Sequence, residues 1–368
     1  MANHSPSNKP KFLLPKSPRA RILTTVIVLV AAAGIAVALT RGGNTPGHAV
    51  TLPTIPTTNC PLTDTPAPGN VVPNRPALAI KIGNEPFTSR PQSGLNEADV
   101  VFDTPAEGFI MRYIAVYQCQ NATEIGPTRS LRWVDSRLVN QLGHPILAFA
   151  GGIIPDVNPV MGLSTLSAAN LLEGAQAAAH RTTNRQPPDN LYTSTSALYG
   201  LFPNLTTPPQ PIFTYSMTPP KGGIKIRAFR IFFSQGTEVL WEWMPQLGLW
   251  VHTYARSVDH DAATGAPVTT TNIAVISAKY TIGPYLESPG GSGDIESQVT
   301  GSGPGYVLRN GEAIKVTWSR QSGVDPMVFK DSLGKTVPMA PGRTWVEIVP
   351  DTIFSSSAIV LFHQLPAG

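Results

Sequence analysis

The chain has 368 residues, a formal net charge of +4, 14% charged residues and two cysteines. Lys9, Lys11, Lys16, Arg19 and Arg21 account for the positive balance: without those five, the 27 Lys/Arg fall to 22 against 23 Asp/Glu. A near-neutral remainder lacks the basic footprint of a nucleic-acid-binding protein, so that class of partner is excluded.

Residues 1–21 read as a basic cytoplasmic tail and residues 22–40, ILTTVIVLVAAAGIAVALT, as a transmembrane helix or signal anchor. An uncharged apolar run of roughly 18 or more residues can cross a bilayer as one helix. The basic flank stays cytoplasmic, which places the rest of the chain outside the plasma membrane. The alternative is a cleaved signal peptide, since Ala36-Val37-Ala38 has small-residue cleavage character. Either way the body is exported. No cysteine closely follows the run, so lipid attachment there is not expected.

Residues 41–74 are rich in Pro and Thr and read as a semi-extended spacer, since proline fixes φ and removes a donor. Cys60 lies in this spacer and Cys119 ends a predicted strand. In an oxidising compartment a lone pair is a disulfide candidate, with a free catalytic thiol as the less favoured reading.

An α/β N-terminal domain is predicted over 75–220. ALAIKIGN (77–84), ADVVFDT (98–104), FIMRYIAVYQC (109–119) and ILAFA (146–150) read as strands, the third alternating and rich in β-branched and aromatic residues. Thr128 reads as the N-cap of a helix carrying Leu131, Val134, Leu138 and Leu142, stopped by Gly143. Further helices are expected at about 167–180 and 194–201.

Over 221–352 the pattern becomes a β-rich C-terminal domain. RAFRIFF (227–233), VLWEWM (239–244), LWVHTYAR (249–256), NIAVISAKY (272–280), AIKVTWSR (313–320), DPMVFKD (325–331) and TWVEIVP (344–350) all read as strands. Asn310-Gly311 is a hairpin signal. Gly-rich 288–305, including GSGPG at 301–305, reads as a turn or mobile loop, and residues 353–368 as a C-terminal tail.

Polar residues crowd 90–117 and 124–137. Arg129, Arg132 and Ser136 fall on one face of the predicted helix, with Arg129 in its first turn. Cations there oppose the helix dipole and need a carboxylate such as Glu107 or Asp135, or an anionic ligand. Two readings stay open. One is an internal ion-pair network of Arg112, Arg129 and Arg132 with Glu107 and Asp99. The other is a polar ligand site, since the planar guanidinium binds carboxylate or phosphate bidentately.

RPALAIKIGN, RPQSGLNEADVVFDTPAEGFIMRYIAVY, EIGPTRSLR, GSGPGYVLRNGEAIKVTWSR and GRTWVEIVP together resemble the YerB-like family of bacterial envelope proteins. The resemblance spans residues 74–352 and implies an α/β domain followed by a mainly β domain, with no established reaction. Many members are lipoproteins, whereas this chain carries an apolar span. The family's His before the Gly-Gly turn is replaced by Phe149 or Ala150.

Other motifs carry less. GKT at 334–336 lacks the phosphate-loop Gly, since position 329 is Phe329. His252, Asp259, His260 and Asp261 match no zinc spacing and read as a surface loop. The strand-borne tryptophans Trp241, Trp243, Trp250, Trp318 and Trp345 read mainly as core.

The sequence thus predicts an α+β protein anchored through residues 22–40, with no cofactor or metal. Arg90, Gln92 and Asn96 supply loop hydrogen bonds, Arg112, Arg129 and Arg132 supply charge, and Glu107 orients them. The expected role is non-catalytic binding of a cell-wall polymer or an envelope protein. The alternative is a wall-polymer hydrolase or transferase with Asp99, Asp103 or Glu107 as acid or base.

Overall fold

The computed structural model describes residues 58–234, 237–254, 257–286, 293–355 and 357–365. The basic tail, the apolar run 22–40 and the spacer up to residue 57 lie outside the described residues. No helix among the described residues is long and apolar enough to cross a membrane.

The predicted N-terminal strands form as β1 (Leu78–Ile82), β2 (Val100–Pro105), β3 (Met111–Tyr117) and β4 (Ile146–Phe149). Every residue in these four strands is buried, which is why they read as near-continuous apolar runs: both faces of their sheet are covered. Helix α1 (Trp133–Val139) starts later than its leucine spacing suggests. Residues 128–131 are extended, because their backbone groups bond outward. Arg129 N donates to Lys81 O, Ala150 N to Arg129 O, and Leu131 N to Gly151 O. The extended segment is stitched across the carboxyl ends of β1 and β4, and Arg129 is not in a helical turn.

The sequence misses α2 (Ile154–Met161), where Pro155 occupies a first-turn position that tolerates its missing N–H. The helix expected at 167–180 is absent. Ser167–Asn170 is β5, parallel to β4. Gly174 (φ +83°) then breaks the chain into a 3-10 turn and the small hairpin β6 (Ala179–Arg181) and β7 (Leu191–Thr193). Alanine propensity loses there to an open sheet edge. Helix α3 (Thr195–Leu201) forms as expected, with the Ser194 side chain accepting from Ala197 N.

The second half supplies β8 (Ile224–Lys225), β9 (Ala228–Ser234), β10 (Thr237–Met244), β11 (Leu249–Tyr254), β12 (Ser257–Val258) and β13 (Thr269–Thr270). It continues with β14 (Asn272–Leu286), β15 (Gly293–Gln298), β16 (Gly301–Arg309), β17 (Glu312–Arg320), β18 (Val328–Lys330), β19 (Thr344–Pro350) and β20 (Ile359–Phe362). The Gly-rich stretch is strand rather than loop where described: Gly301–Gly305 pairs with β17, Gly305 also with β14, and Gly305 lies so close to Val275 O that a side chain would clash. The predicted tail likewise contributes β20, paired with β9. Asn310 (φ +53°) and Gly311 (φ +76°) make the β16–β17 turn, the left-handed pair that tight hairpins need.

Among the described residues, ten strands run in the order β18-β17-β16-β14-β19-β2-β3-β1-β4-β5, with β15 paired to β14 and β8 to β17. This sheet passes through both predicted domains. Strand β19, from near the C-terminus, lies between β14 and β2 and is parallel to both. A second sheet, β12-β11-β10-β9-β20 with β13 on β11, covers one face through Phe229, Ile231, Trp241 and Trp250 packed toward Ile80, Tyr113 and Trp345. Helix α1 covers the other face through Val134 and Leu138, packed with Ala79, Phe102 and Ile114. Each such buried aliphatic side chain contributes about 1.5–3 kcal/mol.

The end of the predicted spacer is not a free tether. Leu62 is in the core, and Cys60 is bridged to Cys119 with Cα atoms 6.0 Å apart.

Candidate functional site

The alternation of strands sorts the buried charges onto the two faces of the sheet. On the α1 face Lys81 projects from β1 among apolar neighbours. Its Nζ donates to Asp135 Oδ1 at 2.7 Å and to Thr104 Oγ1 at 3.0 Å. Burial pulls the Lys81 pKa down, and Asp135 opposes that fall. The other Asp135 oxygen accepts from Arg132 N at 2.8 Å, fixing the start of α1. Arg132 reaches back to the β2–β3 loop and grips Glu107 with two bonds, Nε to Oε1 at 2.7 Å and Nη2 to Oε2 at 2.5 Å.

At the carboxyl end of β1 the chain turns through Gly83 and Asn84 to Glu85. A Cβ at Gly83 would sit 2.6 Å from Arg129 Cγ, 2.8 Å from Ser89 Oγ and 2.9 Å from Glu85 Oε2, so only glycine lets this cluster close. Arg129 and Arg112 both reach Glu85 Oε1, Arg112 Nη2 at 3.4 Å. Asp189 lies 4.0 Å from Arg129 Nε, and Ser89 bonds both Asp189 and Glu85. Burial would raise the Glu85 carboxyl, but the Arg129 hydrogen bond and the charges of Arg112 and Arg129 hold it at about 2. The side chains here are partly open, with Glu85 16% and Arg129 13% exposed. The next residues of the loop, Phe87 and Thr88, face solvent.

The opposite face holds a like-charged pair. Asp103 on β2 and Glu347 on β19 are register partners, fully buried between the two sheets. The Trp241 indole N–H donates to Glu347 Oε1 at 2.8 Å. Burial, then the Glu347 charge, push Asp103 well above the ordinary carboxyl range. Burial raises Glu347 to about 7, opposed by Trp241 and by its contact with Asp103. Two adjacent carboxyls in a dry site cannot both ionise, so the pair keeps a proton at neutral pH.

The seven predicted contact residues do not converge on one point. Arg112 and Arg129 meet at Glu85, while Arg132 with Glu107 forms a separate clamp. Arg90 leads away, pairing with Asp259, stacking 3.6 Å from the Tyr254 ring centroid and donating to Tyr113 Oη at 3.0 Å. Gln92 is buried, donating to Gly83 O and Asn84 Oδ1, both at 3.0 Å. Asn96 binds backbone across to the second half: its N donates to Asp261 Oδ2 and its Nδ2 to Pro267 O, while Arg343 donates to its carbonyl. His252, Asp259 and Asp261 are buried rather than in a surface loop, because Asp261 accepts from Gly94 and Asn96 backbone and Asp259 joins His252 to Arg90.

The proposed acids and bases are similarly engaged. Asp99 accepts from Gln118 N at 2.6 Å and Cys119 N at 3.1 Å, and burial raises it to about 6 against those bonds. Asp103 has no solvent exposure, and Glu107 is clamped to Arg132. Among the described residues no cluster of His, Cys, Asp and Glu could hold a metal. Sequence reasoning missed Lys81, Glu85, Asp189 and Glu347. Lys81 and Glu347 did leave a signal: each is a lone charge inside an apolar strand, which demands a buried partner.

Residues 62–207 match the N-terminal domain of DUF3048, a protein family of unknown function, and residues 229–346 match its C-terminal domain. The chain is 28% identical over 298 residues to the "Putative lipoprotein YerB" of Bacillus subtilis (strain 168), covering 79% of this chain and 86% of that protein. The crystal structure of the YerB protein from Bacillus subtilis aligns with a TM-score of 0.71 at 24% identity, over 83% of this chain and 99% of that one. That second likeness concerns the fold alone.

Proposed function

We propose that this chain, which belongs to the DUF3048 family, is an extracytoplasmic envelope module that binds a polar, anionic wall component without transforming it. The lipoprotein description of the Bacillus relative and the Cys60–Cys119 bridge support an exported, membrane-associated setting. In this reading residues 22–40 are the single-pass anchor, and the spacer limits the body's search to a shell near the membrane.

One observation carries the reading: two guanidinium groups, Arg112 and Arg129, share a single carboxylate at a partly open end of the sheet. The position is the carboxyl end of the parallel strands β1 and β4, where open α/β sheets generally take ligands. Glu85 occupies the place that a ligand carboxylate or phosphate would take. An incoming anion displaces Glu85, and the loop bearing Phe87 swings outward with it. Arg90, Gln92 and Asn96 act at a distance, holding the root of that loop against the second half. Arg132 and Glu107 brace α1 behind it.

The test is co-sedimentation of the full-length chain, in detergent, with purified peptidoglycan bearing its anionic polymers. Arg129→Ala loses binding with little change in melting temperature. Glu85→Ala, which removes the internal competitor, tightens it. A large thermal loss in Arg129→Ala together with unchanged wall binding would make the cluster purely structural.

A further inference from the structure

We infer that a second binding site, for a carboxylate-bearing sugar, lies in the pocket between Arg75 and α3. The pocket holds about 390 Å³, within the range of small-ligand sites. None of Glu85, Arg112 or Arg129 lines it, so it stands or falls apart from the reading above.

Its wall is built rather than incidental. The Arg75 guanidinium lies 4.5 Å over the Tyr199 ring centroid. Its Nε donates to Gln118 O at 2.6 Å, Nη1 to Asn121 Oδ1 at 2.7 Å and Nη2 to Gln120 O at 3.0 Å. Those three bonds fix the group in place and leave two of its five N–H donors without a protein partner among the described residues. The Tyr199 hydroxyl is tied to Pro76 O and Tyr117 O, so the ring beneath is equally fixed.

The remaining lining is two-sided. Phe202 and Leu205 give an apolar wall, while Asn74, Asn121 and Thr123 give amide and hydroxyl groups. Asn121 accepts from Arg75 through its oxygen, which leaves its NH₂ available. The Asn74 and Thr123 side chains have no protein partner among the described residues. A pyranose has the matching construction: a C–H face for the apolar wall and a rim of hydroxyls for amides. Among the described residues no acidic side chain lines the pocket, and Arg75 is its only cation. A carboxylate on the sugar is the substituent that uses a guanidinium best.

The experiment titrates the full-length chain in detergent micelles with D-glucuronate and, separately, with neutral methyl glucoside, by calorimetry. Glucuronate binds saturably and roughly tenfold more tightly than the neutral sugar, the margin of one charge-assisted contact. Thr123→Trp fills the pocket from an exposed rim position and abolishes both signals while the melting temperature holds. Arg75→Gln removes the preference between the two sugars. No saturable heat with either sugar, or unchanged binding in Thr123→Trp, overturns the site. Equal affinity for the two sugars in the parent chain overturns the carboxylate assignment.

Discussion

The two faces of the central sheet carry charge in opposite ways. On the α1 face four cations meet carboxylates: Lys81 with Asp135, Arg132 with Glu107, Arg129 and Arg112 with Glu85. On the face toward the second sheet Asp103 meets Glu347, two groups of the same sign. Thr104 and Asp103 are consecutive residues of β2, so one peptide step separates the two regimes. Paired opposites offset each other's charge and act as fixed braces. A like-charged pair holds its place only by keeping a proton, so that face responds to pH.

The largest effect expected is on the braced face. Lys81→Ala strands Asp135 as a buried unpaired charge and costs about 3–5 kcal/mol in urea unfolding. The double variant Lys81→Met/Asp135→Leu recovers most of that loss if the pair serves only the fold. Removing the Cys60–Cys119 bridge touches neither face and acts through the unfolded chain. For a span of 59 residues the loss is about 4 kcal/mol in the chain-entropy account, measured by comparing Cys60→Ser/Cys119→Ser with the parent.

The like-charged pair gives a sharper test. The folded pKa of Glu347, about 7, lies above its ordinary value, so the folded state binds more protons than the unfolded one in between. Stability from this pair is full below the ordinary carboxyl range and falls as pH rises through about 7. Glu347→Gln flattens that slope, seen as a smaller difference in melting temperature between pH 5 and pH 8. Persistence of the slope in Glu347→Gln would break the comparison between the faces. Glu85 gives the smallest effect. Its pKa is held at about 2, so its contribution is present above the ordinary value and is lost as pH falls through about 2. Being partly exposed, Glu85→Gln costs about 1 kcal/mol or less at neutral pH.

Most strands were legible because apolar runs with β-branched residues have few alternatives. β1, β3, β9, β10, β11, β17 and β19 all lie where the pattern places them. Misreadings arose where distant chain segments decide local conformation. Residues 128–131 look helical but serve as a strap between β1 and β4, and 167–170 follows β4 rather than its alanines. In the candidate site the arginines were visible by type and crowding, and Glu107 was legible as the partner that Arg132 meets, but the partners of Arg112 and Arg129 were not. Glu85 and Asp189 sit in loops with no periodicity, about a hundred residues apart, and Ser89 brings them together. Even Lys81, conspicuous in an apolar strand, could not disclose from sequence which carboxylate it meets.

The placement of β19 has a consequence for biosynthesis. Strand β2 finds its second neighbour only when residues 344–350 arrive, and β14 waits for the same segment. Until the ribosome has released nearly the whole polypeptide, both halves present raw strand edges ready to pair wrongly. Such late, long-range closure is slow. A nascent chain cut short before Thr344 is therefore a candidate for aggregation rather than a stable fragment.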